Sequence, residues 1–391
     1  MRRLALVLFL VSAFASGLVL AQTQEEALQR SFIEGVQQLE AGNLAQAERI
    51  FREMLKVTDS PRVKLELART LFLQGKYKEA KTLFQEAATP SDTPWRVRDN
   101  IEHFVRQIEE RTGYLKLGMT IVSDSNPRNL PVQREFSIGG LQVAPTEAPK
   151  KMTGLRYSAQ GWKPIFEPVR IAGYFTASYI DYPNQDLDRL TVDAGIAKNL
   201  TDSGRVRGKA GVELGTFGGK RLYHFPYLGL DSVLAETETS RLTGELKVGK
   251  VSFPDFGYLD ATNTSAAMSA RRALSQTVVL SVSGTIEGSS AKERPYSYYG
   301  WEVGPGIDTF WPDSTYLVGA RAALGSRKYE ADDPLFGEQR SDSRTRLDVT
   351  VGNKKWRWRN SYVSLIASLE RTRSNIEFYS YRKTSVSVVI E

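Results

Sequence analysis

Few residues in this chain could do covalent chemistry. His103 and His224 are its two histidines, and it has no cysteine. Disulfides, thiolate metal sites and a thiol nucleophile are therefore excluded. A hydrolase would need a serine and a histidine within reach of each other, with an Asn or acid to orient the ring. His224 stands between Tyr223 and Phe225 in what reads as a loop, and no spacing singles out a Ser or Asn partner for it. His103 falls on a helical stretch and reads as a surface or partly packed residue. Asp124-Ser125-Asn126 and Asp332-Asp333 supply the oxygens a hard cation prefers, but solvated loops use the same residues. No HxH or HExxH pattern is present, and Gly218-Gly219-Lys220 lacks the strand-to-helix setting of a phosphate cradle, so it reads as a hairpin turn. These residues imply a protein that is not an enzyme and uses no cofactor or metal.

The elements around them point to export. Arg2 and Arg3 precede an apolar run from Leu4 to Leu20, and Val19 and Ala21 are small residues ahead of Gln22. This is the pattern of a cleaved secretory leader over residues 1–21. Loss of the two arginines lowers a formal charge of +7 to about +5, spread along the chain without a polybasic block, so no nucleic-acid partner is expected. Hydrophobic residues make up 41% of the chain, and past the leader no apolar run approaches the ~20 residues of a spanning helix. Any membrane role has to come through strands.

Residues 22–112 form a helical domain by pattern. Leu39, Gly42, Ala47, Phe51 and Pro61 recur 33 residues later as Phe72, Gly75, Ala80, Phe84 and Pro94. The spacing Gly-x4-Ala-x3-Phe resembles the tetratricopeptide repeat, a helix pair with Gly at the turn, Ala where helices touch and Phe in the shared core. A further helix, Trp95 to Arg111, carries Val97, Ile101, Phe104, Val105 and Ile108 and is placed to cap the stack. A plain helical bundle fits the same apolar spacing.

At Gly113 the period changes from 3.6 to 2. Leu115, Leu117, Met119 and Ile121 alternate with Lys116, Gly118 and Thr120, and similar segments recur about every 20 residues over 113–391. Fourteen strands are predicted, centred near 117, 157, 174, 194, 210, 229, 246, 266, 281, 302, 320, 348, 366 and 387. The polar face carries Arg207, Lys209, Glu213, Glu245, Lys247 and Asp348 in mid-strand. Inside a dry sandwich such charges are costly. Apolar outside and charged inside is the pattern of a transmembrane barrel, whose closure also pairs every backbone group.

Connection lengths agree. With the first strand running outward from the helical domain, the long connections Ser123–Lys151, Tyr329–Ser343 and Thr372–Tyr381 fall on one side. Short ones such as Leu200–Gly204, Arg272–Leu274, Trp311–Ser314 and Lys354–Trp356 fall on the other. Aromatics gather near strand ends as an interfacial girdle would, and Lys354-Lys355-Trp356-Arg357-Trp358-Arg359 reads as a basic turn at the periplasmic rim or an ordinary solvated turn.

The fold class is thus α plus membrane β: a short tetratricopeptide-like domain followed by a 14-stranded antiparallel transmembrane barrel. In this arrangement the chain resembles the surface lipoprotein assembly modulators, the Slam family. Two places carry the resemblance. One is Asp124, Ser125 and Asn126 at the exit of the first strand. The other is the last hairpin, with Arg371, Ser374, Asn375, Tyr379, Tyr381 and Arg382. The final residues, Val388-Val389-Ile390-Glu391, differ from the aromatic ending usual in outer-membrane barrels.

The resemblance implies a bacterial outer-membrane factor with its helical domain in the periplasm, delivering an exported lipoprotein or soluble protein to the cell surface. Gly42, Ala47, Phe51, Gly75, Ala80 and Phe84 would build the domain that engages the cargo, and the barrel would offer a path or an exposed strand edge. Outer-membrane lipids, barrel-assembly machinery and periplasmic chaperones are the further partners it implies. A passive porin and an exopolysaccharide-export porin with a helical accessory domain remain the alternative readings.

Overall fold

A computed structural model describes residues 25–390 except 89–94, 134, 139–140, 145–146, 167–169, 184, 238, 311–315 and 359–360. The leader over 1–21, Pro94 and Glu391 lie outside the described residues. The chain separates into two compact units, one helical and one containing the barrel.

The helical unit begins with α1 over 25–40, followed by α2 (Leu44–Leu55), α3 (Pro61–Leu73), α4 (Tyr77–Ala88) and α5 (Trp95–Thr112). Pro61 opens α3, where the missing N–H costs nothing. Gly42 and Gly75 sit at the turns within the two helix pairs at φ of 79° and 77°, a conformation in which a side chain would be strained. Ala47 and Ala80 are fully buried, and Phe51 and Phe84 fill the shared core with Leu67, Leu71 and Ile108. Gly42 and Gly75, Ala47 and Ala80, and Phe51 and Phe84 thus occupy equivalent places in the two helix pairs. Glu48 ties the pairs together. It accepts hydrogen bonds from Arg52 (2.9 Å) and Lys76 (2.7 Å), and Arg52 also reaches Glu79 (2.7 Å).

Helix α5 ends on Gly113, whose N–H bonds to the Glu109 carbonyl (2.8 Å) at φ 84°. The next residue starts a strand. The strands are β1 (Tyr114–Asp124), β2 (Phe136–Ile138), β3 (Leu141–Val143), β4 (Met152–Phe166), β5 (Ile171–Asp181), β6 (Arg189–Asn199), β7 (Val206–Phe217) and β8 (Lys220–Glu236). They continue with β9 (Ser240–Val251), β10 (Ala261–Ala273), β11 (Val278–Ala291), β12 (Tyr298–Phe310), β13 (Tyr316–Asp332), β14 (Gln339–Trp358), β15 (Ser361–Ser374) and β16 (Tyr381–Ile390). Short β2 and β3 pair with each other inside the first long loop. The other fourteen form a closed up-and-down barrel in which β1 pairs with both β4 and β16. Each of the fourteen predicted strand centres falls within its own barrel strand.

Two faces follow from the register. Leu228 opposes Val248, Leu230 opposes Leu246, Leu347 opposes Leu369, and Ala367 opposes Val386. These outward residues are apolar and exposed, as are Leu117 at 73% and Ile286 at 63%, with Leu228 at 63%. A continuous belt of this kind is stable against lipid, not water. No helix among the described residues is long and apolar enough to cross a membrane, and the chain crosses with strands.

Three local expectations change. His224 lies within β8, its backbone paired with Ser252 in both directions (3.0 and 2.9 Å), and not in a loop. The basic run from Lys354 is strand up to Trp358, with an irregular register between Gly352 and Arg357 in place of a turn. The connection read as Tyr329–Ser343 shortens to 333–338, because β13 and β14 extend into it. All three lie near strand ends, where water on both faces removes the demand for an alternating pattern.

Candidate functional site

The two stretches that carry the sequence resemblance are 256 residues apart where Asn126 meets Arg382, yet they meet at the seam that closes the barrel. β1 and β16 pair antiparallel from Met119↔Ile390 to Asp124↔Ser385. The seam continues as side-chain bonds where β1 turns. The Asp124 carboxylate accepts the Asn126 N–H (2.8 Å), which sets the turn. Ser125 donates its N–H to the Thr384 carbonyl (2.9 Å), and its hydroxyl accepts the Thr384 N–H (2.8 Å). It thereby serves as one more strand residue.

Asn126 is 1% exposed. Its amide oxygen accepts the Leu130 N–H (2.9 Å), and its nitrogen donates to the carbonyls of Leu130 (2.9 Å) and Arg382 (3.3 Å). Only an amide offers a donor and an acceptor in that arrangement. Lys383 reaches the Asn129 side chain (3.1 Å), and the Val132 N–H reaches the Ser380 carbonyl (3.2 Å). The outer end of the seam is therefore stapled.

The last hairpin is braced on its other side. Asn375 accepts the Ser341 N–H (2.7 Å) and donates to the Gln339 carbonyl (3.0 Å), fixing the loop to β14. Ser374 and Ser380 close the loop on itself, the Ser374 N–H donating to the Ser380 hydroxyl (2.9 Å). Tyr379 donates to Asp333 (2.6 Å), with Arg340 3.5 Å from the centre of its ring. Burial and that hydrogen bond push the Tyr379 phenol well above its ordinary value. Phe378 meets Phe136 from the β2–β3 hairpin and Phe336 edge-on or tilted, which joins three outer loops in one aromatic cluster. Tyr381 points the other way and donates to Glu370 (2.8 Å), which also accepts from Arg344 (2.9 Å).

Below these loops many lumen-facing charges are paired. Lys209 pairs with Asp231 (2.5 Å), Lys247 with Glu213 (3.0 Å), Arg327 with Glu287 (2.6 Å), Arg321 with Asp308 (2.9 Å) and Arg346 with Asp348 (2.9 Å). Tyr227 donates to Asp193 (2.8 Å) beside Tyr174 (2.7 Å). Such a lattice stiffens the wall from inside and leaves the lumen mixed in sign.

Of the predicted residues, Asp124, Ser125 and Asn126 come together with the backbone of Arg382 and Thr384, while Asn375, Tyr379 and Tyr381 each brace a separate neighbour. Arg371 and Arg382 oppose each other on β15 and β16. Of the carboxylates weighed as cation ligands, Asp124 and Asp333 are engaged otherwise. Asp333 accepts the N–H groups of Leu335 (2.9 Å) and Phe336 (3.2 Å) as well as Tyr379, and so caps its own loop. His103 bonds to Gln107 one helical turn away (2.7 Å). Sequence reasoning missed Glu370, Arg340 and Arg344. A mid-strand acid five residues before an aromatic-rich turn was the only signal for Glu370.

With this geometry in hand, comparison with known proteins gives two family matches. Residues 229–391 match the family described as surface lipoprotein assembly modifier, and residues 38–90 match the tetratricopeptide repeat. The first match spans β16 and the last hairpin but not Asp124–Asn126. No curated protein matches the chain. The solved structures that match include three outer-membrane proteins. A loop-deletion mutant of OmpT, an outer membrane protein of Vibrio cholerae, is 8% identical at a TM-score of 0.37, covering 71% of this chain and 99% of that one. A bacterial polysaccharide outer membrane secretin is 12% identical at 0.37, with 70% and 97% covered. OpdK of Pseudomonas aeruginosa with vanillate is 11% identical at 0.38, with 72% and 98% covered. The sequence resemblance, the repeat match and the closed barrel agree with one another, and the protein is an outer-membrane barrel with an N-terminal tetratricopeptide-like domain.

Proposed function

We propose that this outer-membrane barrel, whose C-terminal part matches the surface lipoprotein assembly modifiers, helps deliver lipoproteins or other exported proteins from the periplasm to the cell surface. The family match over residues 229–391 is the observation that carries this reading. In it the helical domain lies in the periplasm and holds the cargo before it folds, in the manner of a scaffold whose paired helices present a concave face. The barrel supplies the passage. Neither step consumes a nucleotide. The free energy comes from cargo folding on the outer side, which withdraws it from the unfolded pool.

Asp124, Ser125, Asn126 and the last hairpin act as the clamp that keeps β1 and β16 joined at the outer end. A seam held there opens from the periplasmic side, where a strand edge pairs with cargo. Periplasmic chaperones and barrel-assembly machinery are the partners such a route would use. A lumen of matched pairs fits a charged-polymer conduit poorly, since that function favours one sign of charge.

The test is to express the chain with a candidate lipoprotein in a host lacking both and to shave intact cells with protease. The lipoprotein should become cleavable only when the barrel is present. Equal cleavage without the barrel rules the function out.

A further inference from the structure

The outward face of the seam changes character abruptly near its outer end. Along β15 the outward residues run Leu365, Ala367 and Leu369, then Arg371 and Arg373; along β16 they run Val388, Val386 and Thr384, then Arg382. Arg371 and Arg382 are direct cross-strand partners. Like charges in that position repel. Among the described residues neither guanidinium meets a carboxylate, whereas Arg344 and Arg346, lumen-facing on neighbouring β14, are both ion-paired.

The two arginines also line a groove of about 650 Å3, together with Leu347 and Leu369 on the wall and Val132 and Pro149 from the first outer loop. The bond from Val132 to Ser380 holds that loop close. The groove therefore has a cationic upper end and an apolar floor continuous with the lipid belt.

We propose that this groove binds a phosphorylated lipid of the outer leaflet, its phosphate between Arg371 and Arg382 and an acyl chain along Leu369 and Leu347. Guanidinium groups take phosphate oxygens in pairs, and an anion between two opposed cations removes their repulsion. The apolar floor and its level at the end of the belt favour a lipid over a free anion. The bound headgroup would fasten β15 to β16 on the lipid side, as Ser125 and Asn126 fasten β1 to β16.

The full chain purified in micelles is titrated with bis-phosphorylated lipid A, with its phosphate-free counterpart and with inorganic phosphate. Retained lipid is counted by native mass spectrometry, and unfolding is followed by the heat-dependent gel shift of the barrel. Lipid A should bind and raise the unfolding temperature. The double variant Arg371→Gln/Arg382→Gln should weaken binding roughly tenfold or more, as expected for loss of charge-assisted bonds. Arg371→Lys/Arg382→Lys should retain part of the affinity, since charge remains without the planar fork. Without lipid the Gln variant should unfold no earlier than the parent, because the arginines have no partner to lose, which separates lipid binding from folding. Equal binding of lipid A by the Gln variant, equal binding of the phosphate-free lipid, or an equal shift with inorganic phosphate alone would each overturn the proposal.

Discussion

Replacing Asn126 tests the clamp at its most buried point. Asn126→Ala removes the acceptor of the Leu130 N–H and the donor to the carbonyls of Leu130 and Arg382, in a place that is 1% exposed. Two of these bonds are of ordinary length and the third is long. With net values near 1 kcal/mol each and an added penalty for orphaned groups, the loss is about 2–3 kcal/mol. Asn126→Asp is the sharper probe. It keeps the acceptor but turns a carboxylate toward two carbonyl oxygens, so at neutral pH it should cost more than alanine. That environment raises the pKa of the introduced carboxyl above its unfolded value. Protonation restores a donor, so the penalty should shrink as the pH falls from 7 through the carboxylate range. Urea unfolding of the purified barrel in micelles, followed by tryptophan fluorescence, measures both. An alanine variant within ~0.5 kcal/mol of the parent, the range of a neutral surface change, would refute the clamp. So would an aspartate variant whose deficit ignores pH.

Three further outcomes follow from the same geometry. Phe51→Ala empties a fully buried site in the helical core and should cost about 3–5 kcal/mol there, melting the 222 nm helical signal early while the barrel keeps its heat-dependent gel shift. Burial works to raise the Glu48 carboxyl, but hydrogen bonds from Lys76, Arg52 and Gln74 outweigh it and hold the group at about 2, below its ordinary 4.5. Its contribution to helical stability is thus present above 4.5 and lost as the pH falls toward 2, and Glu48→Gln should flatten the melting temperature across that window in circular dichroism scans. Ile286→Arg puts a charge on the lipid face and should cost roughly 2–4 kcal/mol if it lies near the bilayer midplane. The variant should then accumulate as unfolded, protease-sensitive barrel, whereas an outward face wetted by water would tolerate it.

How much of this was legible in the sequence depends on what each residue faces. The alternation of Leu242, Gly244, Leu246 and Val248 is imposed by lipid on one side and a wet lumen on the other, so strand number and order could be read directly. Gly42, Ala47 and Phe51 were legible for a similar reason, because a helix pair admits few residues at those places. Past the lipid belt that constraint stops. Lys354 to Trp358 and His224 are strand, but nothing in their polarity demands it, and both read as turn or loop. The β2–β3 hairpin was also missed, its two three-residue strands being too short for a period to show. The clamp was half legible. Asp124-Ser125-Asn126 reads as a turn from its residue types, yet its bonds to Arg382 and Thr384 depend on barrel closure, which no local pattern encodes. Arg371 and Arg382 were legible as residues of a motif, but not as an unmatched pair on the lipid side.

The most direct test of the proposed function uses liposomes containing only this protein, oriented with the helical domain outside. A urea-unfolded cargo lipoprotein is added, and the fraction that becomes protected from external protease is measured. Protection should rise with the amount of barrel and drop to background when residues 22–112 are deleted. Equal protection in empty liposomes, or in liposomes carrying an unrelated outer-membrane barrel, would contradict it.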